Sequence, residues 1–301
     1  MDLDLKSVRL FLRVAALGAI GRAGAEFGLS ATAATQRIRA LEEAIGAQLL
    51  NRTTRAVSLS ADGEVFLAHA KRIVSSVEDA FADVQCSPDA MRGELRIASS
   101  ASFGRKQIAP YVAEFLDTHP NISIQLDMSD AVVDIVKQGM DLAIRLGELA
   151  PSALKARAIA ASPRVLVAAP RYLERRGVPD RPEDLKAHNC LTREDARTWR
   201  MRTPDGSVSE VRVSGNFATN LAEGITTTAL SGLGVARKCR WEIAEHLESG
   251  ALVTLLDSHI IVPEWRVFAV RPPAPQPPPR VRAFTEFLET KLRSVPSLAI
   301  E

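Results

Sequence analysis

LSATAATQRIRALEEAIGAQLL, residues 29–50, is the stretch whose reading decides the fold. Wound at 100° per residue, Ala34, Ile38, Leu41 and Ile45 fall within one narrow arc, the stripe that an amphipathic helix turns toward a core. Thr32, Thr35, Gln36, Arg39 and Glu43 fall on the opposite arc. A plainly solvated face would be richer in Lys and Glu. This one presents short or planar hydrogen-bonding groups. Gln pairs bidentately with adenine, Arg with guanine, and Thr reaches a phosphate or a thymine methyl. Ala33 and Ala40 leave room for close approach. Taken alone the pattern also suits a solvated face, so its neighbours must decide.

They do. Residues 5–16 predict a first helix with Leu5, Val8, Leu12 and Ala15 on one stripe, and residues 19–27 a short second helix with Ile20, Ala23 and Phe27 inward. Gly28 stands where a left-handed turn residue belongs, and Ser30 where an N-cap belongs, just before a third helix starting at Ala31. Helix, glycine turn, helix is helix-turn-helix order. NRTTRAVSLS (51–60) holds Arg52 and Arg55, no acid, and alternating Val57 and Leu59. It predicts a small wing whose arginines meet phosphates or a minor groove.

From Ala61 to about Gln85 a long helix is expected. Phe66, Ala70, Ile73, Val77, Ala80 and Val84 are spaced 4, 3, 4, 3, 4, a heptad seam of nearly three repeats. Packing on its own domain is the alternative, but the apolar face is narrow for that, and a two-chain coil fits better. Ser87, Pro88 and Gly93 mark a linker.

Beyond Gly93 strands and helices alternate: ELRIASS (94–100), a helix over 103–119, ISIQLDMS (122–129), a helix over 131–139, and DLAIRLG (141–147). This βαβα order predicts a mostly parallel sheet. RVLVAAP (164–170), VSEVRVSGNFAT (208–219) and WRVFAVRPP (265–273) read as strands, and 182–188, 220–234 and 281–294 as helical. PPAPQPPP (272–279) reads as a stiff loop.

Composition agrees without deciding. The chain has 301 residues, enough for two domains, with 46% apolar and 25% charged residues. Residues 1–90 hold 10 Lys+Arg against 11 Asp+Glu, so a DNA-binding surface must come from placement and not from bulk charge. No apolar run reaches the roughly 18 residues of a membrane span. MDLDLK lacks the basic and apolar regions of an export signal. Three scattered cysteines, Cys86, Cys190 and Cys239, argue for a reducing compartment. The expected location is the cytoplasm, with no membrane partner.

At this point the chain resembles the LysR-type transcriptional regulators over essentially its whole length. AIGRAGAEFGLSATAATQRIRALEEAIGAQLLNRTTRAVSLSADGE carries the likeness in the first 88 residues; GELRIASSASFGRKQIAPYVAEFLDTHP, DLAIRLGEL, LSGLGVA and PRVRAFTEFL carry it later. The resemblance implies a winged helix-turn-helix over 1–60 (helix-turn-helix about 19–38), a linker and dimerisation helix over 61–88, and a two-lobed α/β effector domain of the periplasmic-binding-protein type over 93–301. Lobe 1 would take about 93–162 and 267–301, and lobe 2 about 163–266, with crossovers near Ser162–Pro163 and Pro263–Arg266. Ser30, Thr32, Thr35, Gln36, Arg37 and Arg39 match the family's recognition positions, and Arg52 and Arg55 its wing. The family commonly has Pro where Ala31 stands and a basic residue where Gln36 stands, so base preference does not transfer; Arg37 is placed to supply that charge.

The same resemblance implies double-stranded promoter or operator DNA as partner, a homodimer pairing into a homotetramer, contact with RNA polymerase, and a small organic effector, in the first instance a carboxylate. Ser99, Ser100 and Ser102 match the family's effector-binding junction, where their hydroxyls and the amides of Phe103 and Gly104 would cradle it; a simple helix cap is the alternative. Arg145 would meet a carboxylate, or else pair with Asp141 or Glu148. Phe103 would be a lid aromatic or core, and Thr219 and Asn220 the second lobe's contacts. No cofactor, metal set or catalytic constellation emerges. His188 and Cys190 are close in sequence but lack partners, and Cys190 reads as packing. An enzyme is not expected.

Overall fold

The computed structural model describes residues 3–52, 57–85, 91–131, 133–193, 197–274 and 276–298, with the backbone alone at 52, 79 and 82–85. The chain forms two compact units: residues 1–94 with 136–139, and residues 95–135 with 140–301.

The first unit is built from α1 (Leu5–Leu17), α2 (Ile20–Glu26), α3 (Ala31–Ile45), an antiparallel hairpin of β1 (Leu50–Arg52) and β2 (Val57–Leu59), and α4 (Ala61–Gln85). Asp4 caps α1 by accepting from the amides of Lys6 and Ser7, and Ser30 caps α3 by accepting from Ala33. Both caps satisfy donors that a helix start leaves orphaned. Ala34, Ile38 and Leu41 are buried as the periodicity requires, with Ile45 packed at the edge of the same cluster. Gly24 lets α2 lie directly on α3: a Cβ there would stand 2.6 Å from the Cβ of Ala34. Gly28, at φ +68°, makes the left-handed turn between them.

Three expectations in this unit are corrected. The core face of α1 is Val8, Leu10, Phe11 and Val14, with Leu5, Leu12 and Ala15 only half-buried. Adjacent buried residues such as Leu10 and Phe11 mark a face gripped from two sides, by α3 and by α4. Phe27 lies exposed beyond the end of α2. The start of the α4 seam belongs to this unit's own core: Ala70 is fully buried, and Phe66 packs on Phe11 with ring centroids 5.3 Å apart. Ile73 and Val77 are half-buried and Ala80 is exposed; the side chain of Val84 lies outside the described residues.

The second unit has two lobes, each on its own sheet system. A five-stranded sheet runs β4 (Ile122–Met128), β3 (Gly93–Ser99), β5 (Leu142–Gly147), β14 (Arg266–Arg271), β6 (Lys155–Ala161). A four-stranded sheet runs β12 (Val253–Leu255), β7 (Arg164–Ala168), β11 (Val235–Cys239), β8 (Cys190–Leu191), and a three-stranded one β10 (Val208–Arg212), β9 (Thr198–Arg202), β13 (Ile260–Val262). The chain leaves the first sheet between Ala161 and Arg164 and returns between Val262 and Arg266.

The expected mostly parallel sheet is replaced by a mixed one. β3 and β5 are parallel, but β14 is antiparallel to both β5 and β6, and β7 is antiparallel to β11 and β12. The two crossings between lobes cause this, because a strand that returns from the other lobe enters from the opposite end. The helix expected over 131–139 is a turn among its described residues. The helix expected over 103–119 starts at Ala101: α5 (Ala101–Phe103), a π turn (Gly104–Ile108) and α6 (Ala109–Thr118) run on continuously. α7 (Pro170–Arg176), α8 (Ala222–Leu230), α9 (Arg240–Glu248) and α10 (Pro279–Arg293) complete the helices.

Candidate nucleic-acid interface and effector cleft

The outer arc of α3 stands free of its own unit's core at the positions that matter most. Thr32, Gln36 and Arg39 are exposed. Thr35 and Arg37 are half-buried and already engaged. The Thr35 hydroxyl donates to the Ala31 carbonyl at 2.8 Å, and the Arg37 guanidinium faces Asp4 at 4.0 Å. Ser30 spends its hydroxyl on the helix cap. Arg52 sits on the first strand of the wing, its side chain outside the described residues, and Arg55 lies outside them altogether. Glu42, not singled out in sequence, shapes this surface indirectly. Its Oε1 accepts from the amides of Leu49 and Leu50 at 2.9 and 3.1 Å, which fixes where the wing leaves α3.

In the second unit a cleft of about 450 Å³ opens between the lobes. Ser99, Ser100, Ser102 and Arg145 all line it, so the structure brings four of the expected residues together. Ser99 is 6% exposed and its hydroxyl has no hydrogen-bond partner among the described residues. Ser100 occupies the cap position of α5 without capping it. Arg145 donates to the Val133 carbonyl, while Asp141 accepts from the Arg96 amide and faces Arg280 at 3.6 Å.

Elsewhere the structure decides between expected roles or departs from them. Phe103 is fully buried and meets Trp241 edge-to-face at 5.0 Å, so it is core and not a lid. The amide of Gly104 is taken by the Ser100 carbonyl at 2.9 Å. The amide that starts α5, on Ala101, is taken by Asp130 at 2.9 Å. The other oxygen of the same carboxylate accepts from Ala222, the first residue of α8, at 3.0 Å. Thr219 accepts from the Leu221 amide at 3.2 Å, a local turn, and Asn220 lines a second cavity.

Asp130 is the residue that sequence reasoning missed. Its carboxylate sits where two helix starts leave free amides, the placement in which a negative charge gains most from helix dipoles. Around it the lobes are tied by Arg105 to Glu223 and by Lys106 to the Glu242 carbonyl at 2.9 Å. The second cavity, about 430 Å³, adjoins the cleft and shares Arg193, Ala222, Cys239, Glu242 and Trp265 with it. On the shared wall Lys238 and Glu242, both buried, form an ion pair that Thr226 completes at 3.3 Å. Cys239 and Cys190 are buried thiols; burial pushes them up to about 11 and about 12, out of the range where a thiolate forms at neutral pH. No group of metal-ligating side chains occurs among the described residues, and no described helix is long and apolar enough to cross a membrane.

A small helical head with an exposed recognition arc, joined to a two-lobed domain around a cleft that mixes apolar walls with a few polar groups, defines a DNA-binding regulator with a ligand-binding domain. The comparisons agree. Residues 5–64 match the family model of the bacterial regulatory helix-turn-helix protein, lysR family, and residues 88–293 that of the LysR substrate binding domain. The chain belongs to the LysR-type transcriptional regulators. It is 33% identical over 276 residues to the HTH-type transcriptional regulator DmlR of Escherichia coli K12, covering 89% of this chain and 88% of that one. It is 31% identical to the HTH-type transcriptional activator TtdR of the same strain, over 84% of this chain and 83% of that one. Among solved structures, CrgA of Neisseria meningitidis, a LysR-type transcriptional regulator, aligns with a TM-score of 0.61 and 26% identity, covering 96% and 99% of the two chains.

Proposed function

We propose that this regulator reads operator DNA through Thr32, Gln36 and Arg39, anchors itself to phosphates through the wing arginines Arg52 and Arg55, and is switched by a small organic effector held between the two lobes. The observation that carries the reading is the division of α3: Ala34, Ile38 and Leu41 buried on one side, Thr32, Gln36 and Arg39 exposed on the other. A helix built only for stability has no need of that polar set.

Two such heads are held at a fixed separation by self-association, with Ile73, Val77 and Ala80 of α4 as the contact stripe, and the dimers pair into a tetramer. The effector favours one placement of the lobes and so alters the spacing of the heads and the DNA bend. Effector and DNA then change each other's affinity by the same factor. The work is done in the cytoplasm, beside RNA polymerase, without a cofactor or catalytic step. The test is a gel shift with the intergenic DNA upstream of the protein's own gene. A specific complex that weakens steeply with salt is expected, and binding indistinguishable from random DNA would refute the reading.

A further inference from the structure

The cleft wall around the serines is poor ground for an acid. Asp130 already holds both helix starts, and with Glu148 and Glu242 it outnumbers the two arginines that line the space, Arg145 and Arg193. Next door the balance reverses: Arg164, Arg193, Arg237 and Lys238 stand against Glu242. Arg164 and Arg237 both line the second cavity, on adjacent antiparallel strands. In the register Cys239 stands opposite Arg164, so Arg237 lies two residues away on the same face of the sheet. Arg164 stacks over Trp265 at 4.2 Å, and Arg237 lies over Trp199 at 5.5 Å.

Among the described residues the donors of the two guanidiniums are largely idle. Arg164 gives one bond, to the Pro263 carbonyl, and its Nε is buried without a partner. Arg237 makes no side-chain hydrogen bond or ion pair among the described residues. Burial pushes both arginines down to about 10; for Arg164 the neighbouring charge of Arg237 adds to this, while Glu148 opposes it. Two like charges side by side in a half-buried wall oppose folding unless an anion joins them. Lys238, on the same strand, shows the contrast: its charge is met by Glu242.

We infer that Arg164 and Arg237 form the acid-binding chamber of the cleft, gripping the carboxylate of a small organic acid between two guanidinium forks. Such forks match a carboxylate's two oxygens bidentately. Leu191 and Ile225 give the chamber an apolar flank for the body of the acid. The inference rests on the reading of the interlobe cleft as the effector site, and it moves the anion from the serine junction to the strands of lobe 2.

The test uses the full chain and three probes, sodium malonate, sodium benzoate and sodium phosphate, each against sodium chloride at equal ionic strength. Malonate or benzoate is expected to raise Tm and to bind in calorimetry. Arg237→Gln and Arg164→Gln should each weaken that binding at least tenfold, Arg237→Lys should retain part of it, and Ser100→Ala should change it less than twofold. Without acid, Arg237→Gln should melt no lower than the parent, since it removes an unmet charge. Binding that survives both arginine substitutions, no binding of either acid, or phosphate binding as well as both acids would overturn the chamber. The DNA arm separates this from the control reading. Arginine-dependent acid binding that leaves DNA affinity unchanged supports the chamber and counts against effector control. DNA affinity that still responds to acid in Arg237→Gln does the reverse.

Discussion

The carboxylate of Asp130 accepts a hydrogen bond from the backbone amide of Ala222, 3.0 Å away across the cleft. Its other oxygen caps Ala101 in its own lobe, so one side chain joins the starts of two helices that belong to different lobes. Asp130→Ala removes both caps at once. At about 1 kcal/mol for each lost cap, the variant should lose about 2 kcal/mol of stability. Asp130→Asn keeps an acceptor and should lose less. Urea unfolding measures both, and an Asp130→Ala variant as stable as the parent would show that the bridge is incidental.

His188 gives the protein a pH dependence whose sign is fixed. The ring is 8% exposed, and its Nδ1 meets the Tyr172 hydroxyl at 3.2 Å. Burial holds it below its ordinary value of 6.5, Arg176 adds to that, and Asp184 opposes it. In the window below 6.5 the unfolded chain binds a proton that the folded one refuses, so stability falls as pH drops through that value. Tm measured from pH 7.5 to 5.5 should decline more steeply in the parent than in His188→Gln, which takes up no proton in either state.

On α3 the structure separates positions that the helical wheel treats alike. Gln36 is exposed, whereas the Thr35 hydroxyl is turned back onto Ala31. Gln36→Ala should cost about 1–3 kcal/mol of discrimination at one base pair, while Thr35→Ala should alter affinity by less than about threefold. Arg52→Ala should weaken binding to all sequences and flatten the salt dependence. Competition gel shifts at several salt concentrations distinguish these effects. Equal losses on specific and random DNA for Gln36→Ala would remove it from base reading.

How much of this was legible in the sequence follows from the physics of each part. α3 was, because a helix buried on one side writes its period into the chain, and Gly28 and Ser30 punctuate its start. α9 was not: its buried residues Trp241, Glu242 and Ile243 are consecutive, since packing from two sides erases the period. β9 carried a readable alternation, Trp199 and Met201 in with Thr198, Arg200 and Arg202 out, which its arginines disguised. At the cleft, Ser99, Ser100 and Ser102 were visible as a cluster. Asp130 was not, nor was the Arg164–Arg237 pair, because their partners lie far along the chain and only the folded lobes bring them together. The seam on α4 misled at Phe66 and Ala70 because the same 4, 3 spacing serves a neighbouring helix in its own unit.

That division of α4 is testable by itself. Phe66→Ala should destabilise the first unit by about 2–3 kcal/mol, since its ring packs on Phe11. Ile73→Asp should leave the unit folded but place a charge in the contact between chains. Light scattering and circular dichroism separate the outcomes: a folded Ile73→Asp variant with the parent's mass would take Ile73 out of the contact.

The closeness of α2 to α3 sets the last expectation. A methyl at position 24 would stand 2.6 Å from the Cβ of Ala34, well inside van der Waals contact, and the Ala34 side chain has nowhere to turn. Gly24→Ala should therefore destabilise the first unit by about 1–3 kcal/mol through overpacking, although alanine is the better helix former by roughly 1 kcal/mol. The steric cost wins because α3 is pinned to the core by the buried contacts of Ile38 and Leu41, on the same face as Ala34. Ala34→Gly alone should also destabilise, by removing a buried methyl from a helix interior. In the double variant Gly24→Ala/Ala34→Gly the methyl has only changed helix. A favourable coupling of about 1 kcal/mol or more is expected in a double-mutant cycle followed by thermal unfolding. Strict additivity would mean that the two helices are free to move apart, and the recognition arc would then lack the rigid seat that base reading requires.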